Sequence, residues 1–168
     1  MEPTPGVLRF DLPFGAVVPA LVGLATGVHR LVARPLVEST STVLDTPDLR
    51  LLSWGVALGR IAETGQWVLR APGWQPMVPV DQESEAAEDE LPLDFATTVL
   101  PFRRGAVLAP QFTVVRRRHP FHLVDAEQRV LGELSDERAT VTGRDGRATT
   151  FRNVTLVVRH LTEPQLAA

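Results

Sequence analysis

The chain has 168 residues, of which 44% are hydrophobic and 22% are charged, and this size and composition predict one globular domain with a full core. Its net charge of −3 argues against a generic nucleic-acid-binding protein, because such proteins carry a basic excess. The chain contains no cysteine, which excludes disulfides, zinc–thiolate sites and thiol catalysis.

The first half contains six segments separated by turn-forming residues. They predict, in chain order, a strand, a short helix, a longer strand, a second short helix and the two strands of a hairpin: 7–12, 14–28, 31–44, 48–54, 56–62 and 67–71. Asp45 is expected to cap the second helix, since an aspartate and a threonine precede Pro47. The apolar run 14–28 is shorter than the roughly 20 residues that a membrane-spanning helix needs, and no basic segment precedes it. We therefore expect a cytoplasmic protein without a membrane partner.

An acidic stretch follows the hairpin. Residues 77–91 carry six carboxylate side chains between Asp81 and Glu90, and they predict a solvated, flexible surface loop within a single domain. A short helix is expected over 91–100. Four strands with turns between them are expected after it: 113–123, 130–134, 139–142 and 149–158.

The order of these motifs matches a known family. Asp45–Pro47, Leu58–Ile61 and Trp67–Arg70 have the spacing of its turn, third strand and fourth strand. In the second half, Val114–Arg118 matches its arginine-rich strand and Gly132–Ala139 matches its acidic strand. Over nearly its whole length the chain resembles the CYTH domain of the triphosphate tunnel metalloenzyme superfamily. The resemblance implies a mainly β (α+β) fold, an eight-stranded antiparallel β-barrel or tunnel with a few short helices.

In that family, basic side chains inside the tunnel hold a triphosphate, and acidic side chains hold a divalent metal ion. Carried over residue by residue, the resemblance implies a phosphate-binding set and a metal-binding set: Arg9, Arg70, Arg116 and Arg118 for phosphate; Asp136 and Glu137 for metal. Arg116 and Arg118 alternate on a strand and share one face, so they are either an inward anion-binding pair or part of a solvated strand with ion pairs. No catalytic residue is identified.

The chain departs from the family mainly at the carboxylates. The paired acids of the first and last strands fall at four uncharged residues: Pro5, Val7, Thr155 and Val157. The paired arginines of the third strand fall at Gly59 and Ile61, so that Arg60 points outward unless the register shifts by one residue. Because magnesium bound to phosphates usually needs one or two protein carboxylates, metal-dependent hydrolysis is expected to be lost.

These observations favour a divergent CYTH-like protein, non-catalytic or weakly active, that binds triphosphate, polyphosphate or a nucleotide, or that acts as an interaction scaffold. The alternative is an active triphosphatase that uses Mg²⁺ or Mn²⁺. A third interpretation is a subunit of a complex, with the acidic segment 81–90 binding a basic protein partner. The tryptophans at 54, 67 and 74 are interpreted as core or barrel-end packing rather than base-stacking platforms.

Overall fold

The computed structural model describes residues 6–17, 27–78, 81–84 and 90–159. Within these ranges the chain forms nine strands and two α-helices. In chain order they are β1 (Gly6–Asp11), β2 (Arg30–Ala33), β3 (Val37–Asp45), α1 (Arg50–Ser53), β4 (Ala57–Ile61), β5 (Trp67–Arg70), β6 (Asp81–Glu83), α2 (Leu93–Arg103), β7 (Ala109–Val124), β8 (Val130–Gly143) and β9 (Ala148–Val158).

The strands form one antiparallel sheet, which confirms the mainly β prediction. Its order is β1-β9-β8-β7-β3-β4-β5-β6, and β2 pairs with β7 in addition. Among the described residues β1 does not pair with β6, so the sheet is open there. None of the helices in the described ranges has the length and apolar character required to cross a membrane.

Most predicted elements are confirmed, and two strand boundaries differ. The predicted strand 31–44 is divided into β2 and β3 around Pro35, which has no backbone N–H to give to a ladder. The segments 130–134 and 139–142 belong to one continuous strand, β8. The predicted helix over 14–28 falls largely on 18–26, which lies outside the described residues.

The acidic stretch also differs from the predicted loop. Asp81–Glu83 forms β6, which pairs with β5 in the register Arg70↔Asp81. Ser84 follows as a buried residue, and its hydroxyl accepts a hydrogen bond from the Trp67 N–H at 2.9 Å. The acidic residues at 85, 88 and 89 lie outside the described residues. The start of the stretch is therefore anchored to the sheet.

Two compact units can be distinguished. Unit 1 comprises Met1–Glu38, Arg116–Ala139 and Thr150–Ala168, and unit 2 comprises Ser39–Val115 and Thr140–Thr149. The core of unit 1 includes Leu123, Leu134 and Val154. The core of unit 2 includes Leu58 and Leu69, which face each other across β4 and β5. Burying a leucine side chain contributes about 1.5–3 kcal/mol, so these positions stabilise each unit.

The Asp45-Thr46-Pro47 turn caps α1 as predicted. Asp45 Oδ1 accepts the N–H of Leu51 at 2.9 Å, and Asp45 Oδ2 accepts the N–H of Leu52 at 3.0 Å. Thr46 Oγ1 accepts the N–H of Arg50 at 3.0 Å. The first three amides of the helix are thereby satisfied by two buried side chains. In unit 2, this motif of the CYTH resemblance therefore holds the first turn of α1.

Candidate functional site

Two ion pairs define the two faces of the sheet in unit 1. Arg152 Nε and Nη2 donate to the two carboxylate oxygens of Asp136, each at 2.9 Å. Arg116 Nε lies 3.8 Å from Glu137 Oε1. Because neighbouring residues of a strand point to opposite faces, Asp136 and Glu137 lie on different faces. We call the face with Asp136 and Arg152 the core face, and the face with Glu137 and Arg116 the arginine face.

Strand register adds Arg9 to the arginine face. Arg9 is directly opposite Thr155 in the antiparallel pair of β1 and β9. Thr155 is three residues from Arg152 on β9, so it lies on the face opposite Arg152. Residues directly opposite each other across antiparallel strands share a face, which places Arg9 with Thr155.

Arg118 joins the same face by alternation. It follows Arg116 by two residues on β7, and residues i and i+2 of a strand share a face. Arg117, between them, lies on the core face, where its Nε is 2.7 Å from Glu38 Oε1. The structure therefore places three of the four predicted phosphate-binding arginines on one face: Arg116 and Arg118 on β7, and Arg9 on β1, with β8 and β9 between them.

The charges on this face are accessible to solvent. The side chains of Arg116 and Glu137 are 33% and 28% exposed, and Arg9 and Arg118 are exposed. A separation of 3.8 Å is too long for a hydrogen bond, so the Arg116–Glu137 contact is an ion pair without one. Neither Arg9 nor Arg118 has an ion pair within the described part of the chain. An anion could reach these guanidinium groups.

The positions at which the family resemblance predicts carboxylates adjoin Arg9. Val7 is directly opposite Val157, two residues along the register from the Arg9–Thr155 pair. Val7, Thr155 and Val157 therefore share the arginine face, whereas Pro5 lies outside the described residues. At these three positions the face carries uncharged residues where the family resemblance predicts acids, and it carries cationic side chains beside them.

Two further polar residues of β8 share this face. Glu133 and Ser135 are four and two residues before Glu137, so alternation places them on its side of the sheet. The Ser135 hydroxyl is buried and has no hydrogen-bond partner among the described residues. A buried hydroxyl without a partner is destabilising, and its position was not predicted from the sequence.

The core-face pair is structural in character. Arg152 is 5% exposed, and its Nη1 donates to the backbone oxygens of Phe14, at 3.3 Å, and Ala16. The hydrogen bond with Asp136 raises the pKa of Arg152 above its ordinary value. The sequence analysis did not identify Arg152. A signal was present, because Arg152 is two residues from Val154 on β9 and so shares its buried face, where a charge needs a partner.

Metal binding by Asp136 or Glu137 stays a prediction, and the two residues differ in what they offer. Both oxygens of Asp136 accept hydrogen bonds from Arg152. Glu137 is the one that shares a face with the arginines. Within the described ranges, no group of three or more His, Cys, Asp or Glu side chains is arranged to hold a metal ion.

The fourth predicted phosphate ligand, Arg70, belongs to unit 2. It is the exposed last residue of β5 and lies opposite Ala57 and Asp81 in the register. Arg60 lies opposite Trp67, a core residue, with its guanidinium carbon 5.9 Å from the centre of the tryptophan ring. Arg60 thus shares the face of the unit 2 core, whereas Gly59 and Ile61 lie on the other face.

The turn after Leu123, in unit 1, is held by a carboxylate. Asp125 is 6% exposed and accepts hydrogen bonds from the Arg129 N–H at 2.8 Å and from Arg129 Nε at 2.7 Å. Burial raises the pKa of Asp125, but these hydrogen bonds outweigh it and the pKa lies below its ordinary value of 3.8. The same contacts raise the pKa of Arg129.

No known family model matches the chain, and no curated protein matches it at a significant level. The resemblance to the CYTH domain therefore stays a prediction that rests on the residues quoted above.

Proposed function

We propose that the protein binds a phosphate-rich anion, such as triphosphate, polyphosphate or a nucleotide, on the arginine face of unit 1, with little or no catalysis. The observation that carries this proposal is the shared, solvent-accessible face of Arg9, Arg116 and Arg118. A polyanion needs several cations within hydrogen-bonding distance, and the planar guanidinium group can bind two phosphate oxygens at once. The proposal includes the eight-stranded barrel that the resemblance implies, with this face lining its interior.

The uncharged residues on the arginine face support binding rather than catalysis. Val7, Thr155 and Val157 stand where the resemblance places metal-binding acids, and Glu137 is engaged with Arg116. Magnesium that is bound to phosphates usually takes one or two carboxylates from the protein. With most of these groups replaced, the arginines would bind the anion directly, and the affinity would depend on salt but little on metal.

A metal-dependent triphosphatase is the second candidate, and the shared face of Glu133 and Glu137 is the observation that favours it. These two carboxylates could contribute to holding Mg²⁺ or Mn²⁺, which would supply Lewis-acid chemistry. They do not amount to a complete site among the described residues.

Calorimetric titration of the protein with inorganic triphosphate tests the proposal, in low salt, with and without Mg²⁺ or Mn²⁺, with phosphate release followed in the same samples. We expect binding without metal and no turnover. The double variant Arg116→Ala/Arg118→Ala should abolish the binding. Arg118→Ala and Arg117→Ala form the matched pair, because each removes one positive charge from the same strand, on opposite faces.

Each outcome separates the candidates. Metal-dependent binding with phosphate release that disappears with a chelator would favour the triphosphatase. The absence of binding at low salt would overturn the anion proposal and leave an interaction scaffold. Equal losses in Arg118→Ala and in Arg117→Ala would also overturn it, since binding would then follow net charge rather than the arginine face.

A further inference from the structure

A cavity with aromatic walls lies within unit 2, on residues that the anion site does not use. It has a volume of about 430 Å³ and lies between the C-terminal end of α1, the 3₁₀ turn Pro72–Trp74 and α2. Its walls include Trp54, Trp74, Met77 and Phe102. Its volume falls in the range of roughly 300–1,000 Å³ that is typical of small-molecule sites.

The aromatic walls are held in place by contacts within the protein. The Trp74 Nε1–H donates to the Trp54 backbone oxygen at 2.7 Å. The Trp74 ring meets the Phe102 ring edge-on, with centroids 4.9 Å apart and an interplanar angle of 73°. The Trp54 ring is tilted against Trp74 at 5.8 Å. The cavity therefore exists before any ligand enters, which lowers the conformational cost of binding.

Large apolar side chains are left open to solvent at this cavity. Trp54 is 49% exposed and Met77 is 75% exposed. A planar ring placed against the indole of Trp54 would remove this surface from water and gain an aromatic contact. The tryptophans at 54 and 74 thus form a cavity wall, in addition to the packing role that was expected of them.

Arg104 gives the cavity a positive charge, which favours a negatively charged ligand. Arg104 lines it and has no ion pair within the described residues. No carboxylate lies among the described lining residues. The hydroxyls of Thr97 and Thr98 already donate to the backbone oxygens of Leu93 and Asp94. A cationic ligand would gain contacts with the aromatic faces but would be repelled by Arg104.

We propose that this cavity binds a small planar aromatic anion, with its ring on Trp54 and its negative group at Arg104. The proposal concerns a site within unit 2 and does not depend on the anion site of unit 1. An aromatic carboxylate or sulfonate is the class of ligand that combines the required ring and charge.

Titration of the full chain with 2-naphthoate, by calorimetry and by quenching of tryptophan fluorescence, tests the proposal. The matched cation, 2-naphthylmethyl-trimethylammonium, is titrated in parallel. We expect saturable binding of 2-naphthoate and weaker binding of the cation. Stronger or equal binding of the cation would overturn the assigned charge, and no binding of 2-naphthoate at millimolar concentration would overturn the site.

Two variants locate the binding. Trp54→Ala removes the ring but keeps the backbone oxygen that holds Trp74, and we expect a loss of affinity of about tenfold. Arg104→Asn removes the charge while tolerating the left-handed backbone, φ 49°, at that position, and we expect a loss of about two- to fivefold that disappears at high salt.

Matched controls remove similar groups elsewhere in unit 2. Leu93→Ala removes an exposed apolar side chain at the start of α2, and Arg144→Gln removes an arginine; neither residue lines the cavity. Neither control should change the affinity for 2-naphthoate. Equal losses in variants and controls, with unchanged thermal unfolding, would overturn the site.

Discussion

Each face of unit 1 carries an arginine–carboxylate ion pair, but the two pairs differ in burial and in geometry. On the core face, Arg152 binds both oxygens of Asp136 and is almost fully buried. On the arginine face, Arg116 Nε lies 3.8 Å from Glu137 Oε1, and both side chains are about one-third exposed. Each pair consists of one arginine and one carboxylate, and the two acids are neighbours in the chain. Burial and geometry, not residue type, separate a structural ion pair from a candidate binding site.

The difference follows from what each pair loses when its partner is taken away. A buried charge without a partner is costly because neither water nor another group replaces the interaction. An exposed charge without a partner is simply hydrated, and exposed ion pairs are typically worth about 0–1 kcal/mol. A ligand that binds a charged side chain must displace the water or the partner that already contacts it. This exchange costs little at an exposed charge and much at a buried ion pair, so a binding site needs exposed charges.

Removing Arg152 should have the largest effect on stability. Arg152→Met leaves Asp136 buried without its donor, so we expect a much lower urea midpoint of unfolding. Arg116→Ala, on the other face, should change the free energy of unfolding by less than about 0.5 kcal/mol. The double variant Arg152→Met/Asp136→Leu should recover much of the loss. Similar midpoints for Arg152→Met and Arg116→Ala would contradict the contrast between the faces.

Neighbouring residues of β8 offer a second comparison of the faces. Leu134 is 4% exposed in the core of unit 1, and Leu134→Ala should cost about 2–5 kcal/mol, because a cavity is left behind. Ser135→Ala removes a buried hydroxyl that has no partner among the described residues, so we expect no loss or a gain of up to about 1 kcal/mol. Urea unfolding measures both. A loss of 2 kcal/mol or more in Ser135→Ala, as large as the lower value expected for Leu134→Ala, would mean that the hydroxyl has a partner.

Much of the fold could be predicted because the local signals were strong. The hairpin of β4 and β5 has regular strand chemistry around a turn, and Asp45 precedes a helix that it caps. The acidic stretch was harder, because its composition indicates a solvated loop whereas Asp81–Glu83 pairs with β5. Pairing with a distant strand is a tertiary effect that local composition does not encode.

The candidate site could be predicted in part. Alternation alone put Arg116 and Arg118 on one face, but only the register of β1 with β9 placed Arg9 beside Thr155. The sequence could not separate Asp136 from Glu137, because their difference depends on Arg152, which is 16 residues away on another strand. A one-residue shift in register would have exchanged their roles.

Neutralising Glu137 should sharpen the binding role of the arginine face. Glu137→Gln removes the negative charge that competes with an anion for Arg116, so we expect metal-free affinity for triphosphate to rise about fivefold at low salt. Asp136→Asn is not a suitable control because it disturbs a buried pair, whereas Glu38→Gln removes an acid from the core face near Arg117. Calorimetry measures the affinities. A fall in affinity in Glu137→Gln, restricted to samples with Mg²⁺, would instead indicate a metal ligand.

The smallest expected effect concerns Asp125, an acid whose hydrogen bonds lower its pKa below 3.8. Because the folded-state pKa lies below the unfolded value, Asp125 stabilises the fold above pH 3.8, and this contribution is lost as the pH falls through the folded-state pKa. Asp125→Asn should therefore lower the urea midpoint at neutral pH and differ progressively less from the unmodified protein below pH 3.8. Glu127→Gln, an exposed change in the same turn, is the control. A difference that grows on acidification would show that the turn stabilises the protonated form, contrary to its hydrogen bonds with Arg129.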